Sequence, residues 1–177
     1  MEHSEFDEAY EDDPSQHEGA ERRLGEAILT APIRALDPQP AVSVPGSATI
    51  RDAIAAMLDH GIGAIVIVDD GGRVLGIFTE RDVLRRVALS GLDLGRPVAD
   101  VMTPGPETLG MSDGIAFALN RMILGGFRHV PIVDDEGAPV AVLSLREVVA
   151  FIVSLLPSQV LNLPPEPNLE ARSPDGG

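Results

Sequence analysis

From residue 47 to residue 61 the chain sets Ile50, Ala53, Ile54, Met57 and Leu58 at helical spacing, behind Ser47 in the place of an N-cap and ahead of Gly61, where the run stops. That pattern predicts a helix. Next comes a dense apolar stretch, Ala64 to Val68, then Asp69-Asp70-Gly71-Gly72, then a second apolar stretch, Val74 to Phe78, which together predict a hairpin. A second helix is expected from about Glu80 to Ser90, with Val83, Leu84 and Val87 on one face and Arg81, Arg85 and Arg86 partly on the other. Val42 to Val44 reads as an outer strand of a three-stranded sheet, and Arg22 to Leu29 as a leading helix before Pro32.

The pattern then returns. Ile67-Val68-Asp69-Asp70 recurs as Ile132-Val133-Asp134-Asp135, an offset of 65 residues. In the same register, without a gap, Ser47 meets Ser112, Ile50 meets Ile115, Met57 meets Met122, Gly61 meets Gly126 and Arg81 meets Arg146. This argues duplication. A copy of roughly 50 residues buries too little surface for comfortable stability, so the two are expected to share one core. The predicted fold is α/β (α+β): two β-α-β-β-α repeats packed as a pseudo-twofold pair. Residues 1–21 are expected to be a disordered acidic tail, 22–92 the first repeat with its leading helix, 93–160 the second repeat, and 161–177 a Pro-rich flexible tail.

Composition narrows the chemistry. All 13 basic residues of the 177 are Arg, and Cys is absent, which removes thiolate nucleophiles, thiolate metal sites, disulfides and lysine Schiff bases. The net charge is −15, and nine of the acids lie in residues 1–21, which hold no Arg. Such a chain repels phosphate backbones and acidic headgroups, so neither nucleic acid nor membrane is an expected partner. No apolar run approaches the ~20 residues of a spanning helix, and the acidic start is the reverse of a secretory signal. A soluble cytoplasmic protein is the expectation.

The segment Gly76-Ile77-Phe78-Thr79-Glu80-Arg81-Asp82-Val83 and its counterpart Ala141-Val142-Leu143-Ser144-Leu145-Arg146-Glu147-Val148, with Val101-Met102-Thr103-Pro104 and Arg128-His129-Val130-Pro131, resemble a tandem pair of cystathionine β-synthase (CBS) domains, a Bateman module, over about Ile33 to Val153. The resemblance implies a sensory module that is not an enzyme, binding an adenine nucleotide (AMP, ADP, ATP or NAD) or another adenosyl compound in clefts between the copies. It also implies a homodimer, associated through apolar faces such as Val83-Leu84-Val87 and Val148-Val149-Ile152, and an effector on another chain. Ligand contacts are expected from Gly76, Ile77, Thr79, Arg81, Asp82, Arg128, His129, Ser144, Arg146 and Glu147.

Physical reasoning gives several of these a role. Thr79, at a strand-to-helix junction, stands where free N–H groups and the dipole favour an anion, with a hydroxyl able to donate to ribose or phosphate oxygen. Asp82 is expected to accept from both hydroxyls of a ribose, and Arg81 and Arg146 to meet phosphate. Gly76 would let backbone approach the ligand. In the second copy Glu147 adds a methylene and Ala141 a methyl, so the better site is expected beside Asp82.

Other readings stand beside these. Thr79 and Asp82 also suit a plain helix cap, Arg81 and Arg146 a solvated face, and the Asp pairs a turn. Met57 and Met122 suit a core, and His129 lacks a second His or Cys spaced to join it on a metal. A ligand-free dimerising adaptor is the alternative to a sensor.

Overall fold

A computed structural model describes residues 25–26 and 30–155. The acidic segment 1–21, the Pro-rich end from 161 and most of the leading helix expected over Arg22 to Leu29 lie outside these residues. Gly25, Glu26 and Thr30 are helical, and the Thr30 hydroxyl donates to the Glu26 carbonyl at 2.6 Å.

The predicted element order is present twice. In the first repeat β1 (Ser43–Pro45) leads to α1 (Ile50–His60), and β2 (Ala64–Val68) then turns back as β3 (Val74–Thr79). Strand β1 runs parallel to β2, and β2 antiparallel to β3. The helix that follows, α2, opens as one α-helical turn over Glu80–Asp82 and continues as a π-helical segment over Val83–Val87. After β4 (Thr103–Pro104), the second repeat runs β5 (Leu109–Gly110), α3 (Ile115–Gly125), β6 (His129–Val133), β7 (Pro139–Ser144) and α4 (Leu145–Ser154). Both hairpins carry a register shift at the same place, between Ile67 and Val68 and between Ile132 and Val133.

Local chemistry explains the boundaries. Helix α1 is capped by Thr49 rather than by Ser47. The reason is spacing: Thr49 has Asp52 three residues on, so hydroxyl and carboxylate satisfy each other's backbone N–H groups, while Ser47 has Ile50 there. Helix α3 starts at Gly114 with no side-chain cap, so Ser112 does not play that part either. Gly61 and Gly126 close these helices in the left-handed region, at φ 62° and 67°. Asp69 and Asp134 build the hairpin turns: one carboxylate oxygen of each accepts two backbone N–H groups, from Gly71 and Arg73 and from Glu136 and Ala138.

Helix α2 is not the regular helix that its periodicity predicts. Ala88 N–H reaches back five residues to Val83 O at 2.8 Å, and on this widened turn Val87 is buried in the core while Arg86 donates to the carbonyls of Val101 and Met102.

Each repeat has a core, and each is completed by residues from beyond the 92/93 boundary. Strand β4 pairs with β3, Gly76 opposite Pro104 and Ile77 opposite Thr103, so the first sheet has four strands rather than three. Val98, Val101 and Met102 pack with Ile50, Met57 and Phe78 in the first core. In the other direction Ile33 packs with Ile115, Met122 and Leu143 in the second core, and residues 39–41 run beside β7, with Ala41 N–H on Val140 O and Val142 N–H on Gln39 O, both at 3.2 Å. Each repeat's leading segment thus folds onto the other repeat.

This crossing also corrects the expectation for Gly76. A Cβ there would strike the Met102 sulfur and lie 3.0 Å from the Thr103 carbonyl oxygen. Glycine leaves room for Met102 and the passage of β4, whereas Ala141 keeps its methyl inside the second core. Of the faces expected to associate, Val87 and Val148 belong to the cores, which leaves Leu84, 69% exposed, and Val149, 49% exposed, facing outward.

Candidate functional site

Strand pairing sets the frame of the site. Ala64 lies opposite Thr79 and His129 opposite Ser144, so the start of each hairpin's first strand stands beside the N-terminus of the helix that follows the second. Thr79 caps α2 and Ser144 caps α4, each in a capping box with the acid three residues on.

Asp82 is 7% exposed. Its Oδ2 accepts from the Thr79 backbone N–H at 3.0 Å and from the Thr79 hydroxyl at 2.7 Å. Its Oδ1 faces Arg86 Nε and Thr103 Oγ1, both at 3.5 Å. This corrects two expectations. The Thr79 hydroxyl already donates a hydrogen bond to Asp82, so it is not a spare donor. The carboxylate, tied into a cap and a partly buried ion pair, keeps one loosely held oxygen instead of a two-pronged grip.

Glu147 reaches the same arrangement through its extra methylene. One oxygen accepts from Ser144 N–H at 2.7 Å and Ser144 Oγ at 2.6 Å, while the other meets the Gln39 N–H at 3.4 Å, across the repeat boundary.

Two clefts lie at the junction of the repeats. The first, about 120 Å³, is lined by Ile77, Thr79, Arg81, Asp82 and Thr103, and by Phe127 from the other repeat. The second, about 830 Å³, is lined by Val142, Ser144, Arg146 and Glu147, facing Ile62, Ala64 and the segment Gln39-Pro40. Gly63, Glu80, Arg128 and His129 line both. At the 65-residue offset Ile77 answers to Val142, Thr79 to Ser144, Arg81 to Arg146 and Asp82 to Glu147, so the clefts are duplicates of one another. Their sizes run against the sequence expectation, because the larger is beside Glu147. The opposing wall explains it. Phe127 lines only the first cleft, and the smaller side chain at its equivalent position, Ile62, lines only the second.

The positive charges differ in their commitments. Arg81 donates to the Gly126 carbonyl at 2.9 Å. Arg128 and Arg146 are exposed and, among the described residues, their guanidinium groups have no hydrogen-bonding or ionic partner. Half-buried His129 has its pKa lowered, by desolvation first and then by the Arg128 charge, against the opposing pull of Glu80 and Glu147, so its imidazole is neutral at pH 7. Among the described residues no group of His, Asp or Glu is arranged to hold a metal ion, and no helix is long and apolar enough to cross a membrane.

Nine of the ten residues expected at the site line the two clefts, and the tenth, Gly76, faces β4 instead. Sequence reasoning missed Gly63, Glu80, Thr103, Phe127, Arg86 and the Gln39-Pro40 segment. The repeat offset pointed to Gly63 as the equivalent of Arg128, and Arg86 stands four residues after Asp82 on a predicted helix.

Comparison with known proteins gives the same frame. The CBS domain family matches twice, over residues 33–89 and 98–154. An uncharacterized 17.7 kDa protein of Acidianus ambivalens is 33% identical over 107 residues, 60% of this chain and 64% of that protein. A CBS domain-containing protein of Arabidopsis thaliana is 36% identical over 109 residues, but these make up 20% of its length. The chain therefore spans less than two thirds of these relatives. Among solved structures, a CBS-domain protein of Agrobacterium tumefaciens is 31% identical with a TM-score of 0.62, covering 68% of this chain and 98% of that one. Another, from Pyrobaculum aerophilum and solved in complex with AMP, is 29% identical with a TM-score of 0.63, covering 70% and 99%. With two matched copies in tandem, each a β-α-β-β-α unit, this chain belongs to the CBS-domain family.

Proposed function

We propose that this chain is a regulatory module that binds an adenine nucleotide or another adenosyl compound between its repeats and signals through their packing. The observation that carries the reading is the duplicated cleft, walled by both repeats and furnished on each side with a hydroxyl–carboxylate box and an arginine. The AMP complex of the Pyrobaculum aerophilum relative supports the ligand class.

The larger cleft takes the first ligand, since about 830 Å³ lies within the roughly 300–1,000 Å³ usual for small-molecule sites and about 120 Å³ lies below it. Ile62 and Val142 supply apolar surface for a base. Glu147 turns its outer oxygen from the Gln39 N–H to a ribose hydroxyl, and Arg146 with Arg128 meets phosphate. In the smaller cleft the outer oxygen of Asp82 takes the equivalent part, with Arg81. Because a ligand replaces a contact that joins the repeats, its binding energy biases their relative placement, and an effector protein reads the changed surface. Association of two copies through the outward Leu84 and Val149 would carry the change across a homodimer.

Calorimetric titration of nucleotide-free protein with AMP, ADP, ATP, NAD and S-adenosylmethionine is the test. Heat with at least one of these, reduced by Glu147→Ala, is expected; no heat with any of them overturns the proposal. One observation favours a second reading, that of a ligand-free dimerising adaptor: both carboxylates already have partners within the protein. The same titration separates the two.

A further inference from the structure

The two clefts are built from equivalent positions of the two repeats but differ in size and in charge. Arg128 lines both, and the residue at its equivalent position, Gly63, also lines both yet carries no side chain. One guanidinium therefore stands where symmetry would have put two. It is exposed, and no hydrogen-bonding or ionic partner among the described residues ties it to either side. The other arginines are not shared, because Arg81 belongs to the first cleft and Arg146 to the second.

We propose that Arg128 makes phosphate-bearing ligands compete across the repeat junction, so that an anion held in one cleft weakens the other for a second anion. This rests on the ligand class proposed above and concerns the regulation of the same site. The physical ground is simple. A guanidinium that satisfies one phosphate has spent its best-aligned donors and its charge, and a second phosphate meets both the loss of that partner and the repulsion of the first. A nucleoside without phosphate makes no demand on Arg128, so its two binding events stay independent. Glu80, which also lines both clefts, sharpens the effect by disfavouring any phosphate that Arg128 does not neutralise.

The test uses the full chain, with AMP and adenosine as paired probes in calorimetry. In the wild type the second AMP is expected to bind about 10-fold more weakly than it does to the same cleft when the larger cleft is disabled, the order of effect of losing one charge-assisted hydrogen bond. Glu147→Ala disables the larger cleft, and Pro40→Trp, at an exposed position on its wall, blocks it without touching the cap. Disabling one cleft thus strengthens the other for AMP and leaves adenosine unchanged. In an Arg128→Ala background the strengthening disappears. AMP affinity in the smaller cleft that ignores the state of the larger one, or a strengthening that survives Arg128→Ala, overturns the inference while leaving the ligand class intact. Absence of binding by both probes overturns the ligand class itself.

Discussion

Replacing Gly76 by alanine isolates the contact that joins the first sheet to the segment leading into the second repeat. Gly76 lies in an ordinary strand conformation, so a methyl adds no backbone strain, and limiting the unfolded chain would by itself stabilise by about 0.4–1 kcal/mol. Sterics oppose this. The new Cβ strikes the Met102 sulfur and lies 3.0 Å from both Met102 Cγ and the Thr103 carbonyl oxygen. The thioether can swing aside, but Met102 is buried in the first core and Thr103 O belongs to β4, whose partner across the sheet is β3 itself. Overpacking of this kind costs about 1–3 kcal/mol, so Gly76→Ala is expected to lose about 1–2 kcal/mol net. For a domain of this size that is about 3–8 °C in Tm. Urea unfolding followed by circular dichroism reads the loss, and a cycle with Met102→Ala reads its origin: the double variant should lose less than the two single losses added together. A Gly76→Ala protein as stable as the wild type would refute the reasoning, because it would mean that β4 is not held against β3.

Thr49→Ala removes a capping box and should cost about 1 kcal/mol in the same assay, while Ser47→Ala and Ser112→Ala, which remove no cap, should change stability by less than about 0.5 kcal/mol. Asp82→Ala should lower stability by about 1–2 kcal/mol without any ligand, since it breaks the Thr79 cap and the Arg86 contact; any loss of ligand-induced stabilisation must be read on top of that, by thermal shift with and without AMP. His129 has a lowered pKa in the folded state, so as pH falls below about 6.5 the unfolded chain takes up its proton first and stability declines until the folded pKa is passed. His129→Gln should flatten that decline, and urea midpoints that differ between pH 7.5 and 5.5 equally in both proteins would contradict it.

Local patterns carried most of the fold. The helical spacing of Ile50, Ala53 and Met57, the Asp-Gly turns and the 65-residue offset each report on residues close in sequence, and each matches an element of the structure. What escaped depends on contacts between distant segments. Nothing near Gly76 announces that Met102 passes over it, and nothing near Ile33 shows that it fills the second core. The π-helical widening of α2 involves Arg86 reaching carbonyls fifteen and sixteen residues away, which a 3.6-residue period cannot foresee. At the site, the residue types on each strand-to-helix junction were legible. Cleft sizes were not, because they depend on the facing wall, where Phe127 stands in one case and Ile62 in the other.

The exchange of leading segments makes the two halves mutually dependent for their folding. Severed between residues 92 and 93, the N-terminal piece would be missing Val98, Val101 and Met102, and the C-terminal piece would be missing Ile33. Each fragment, expressed apart, is expected to remain largely unfolded and to gain circular dichroism on mixing.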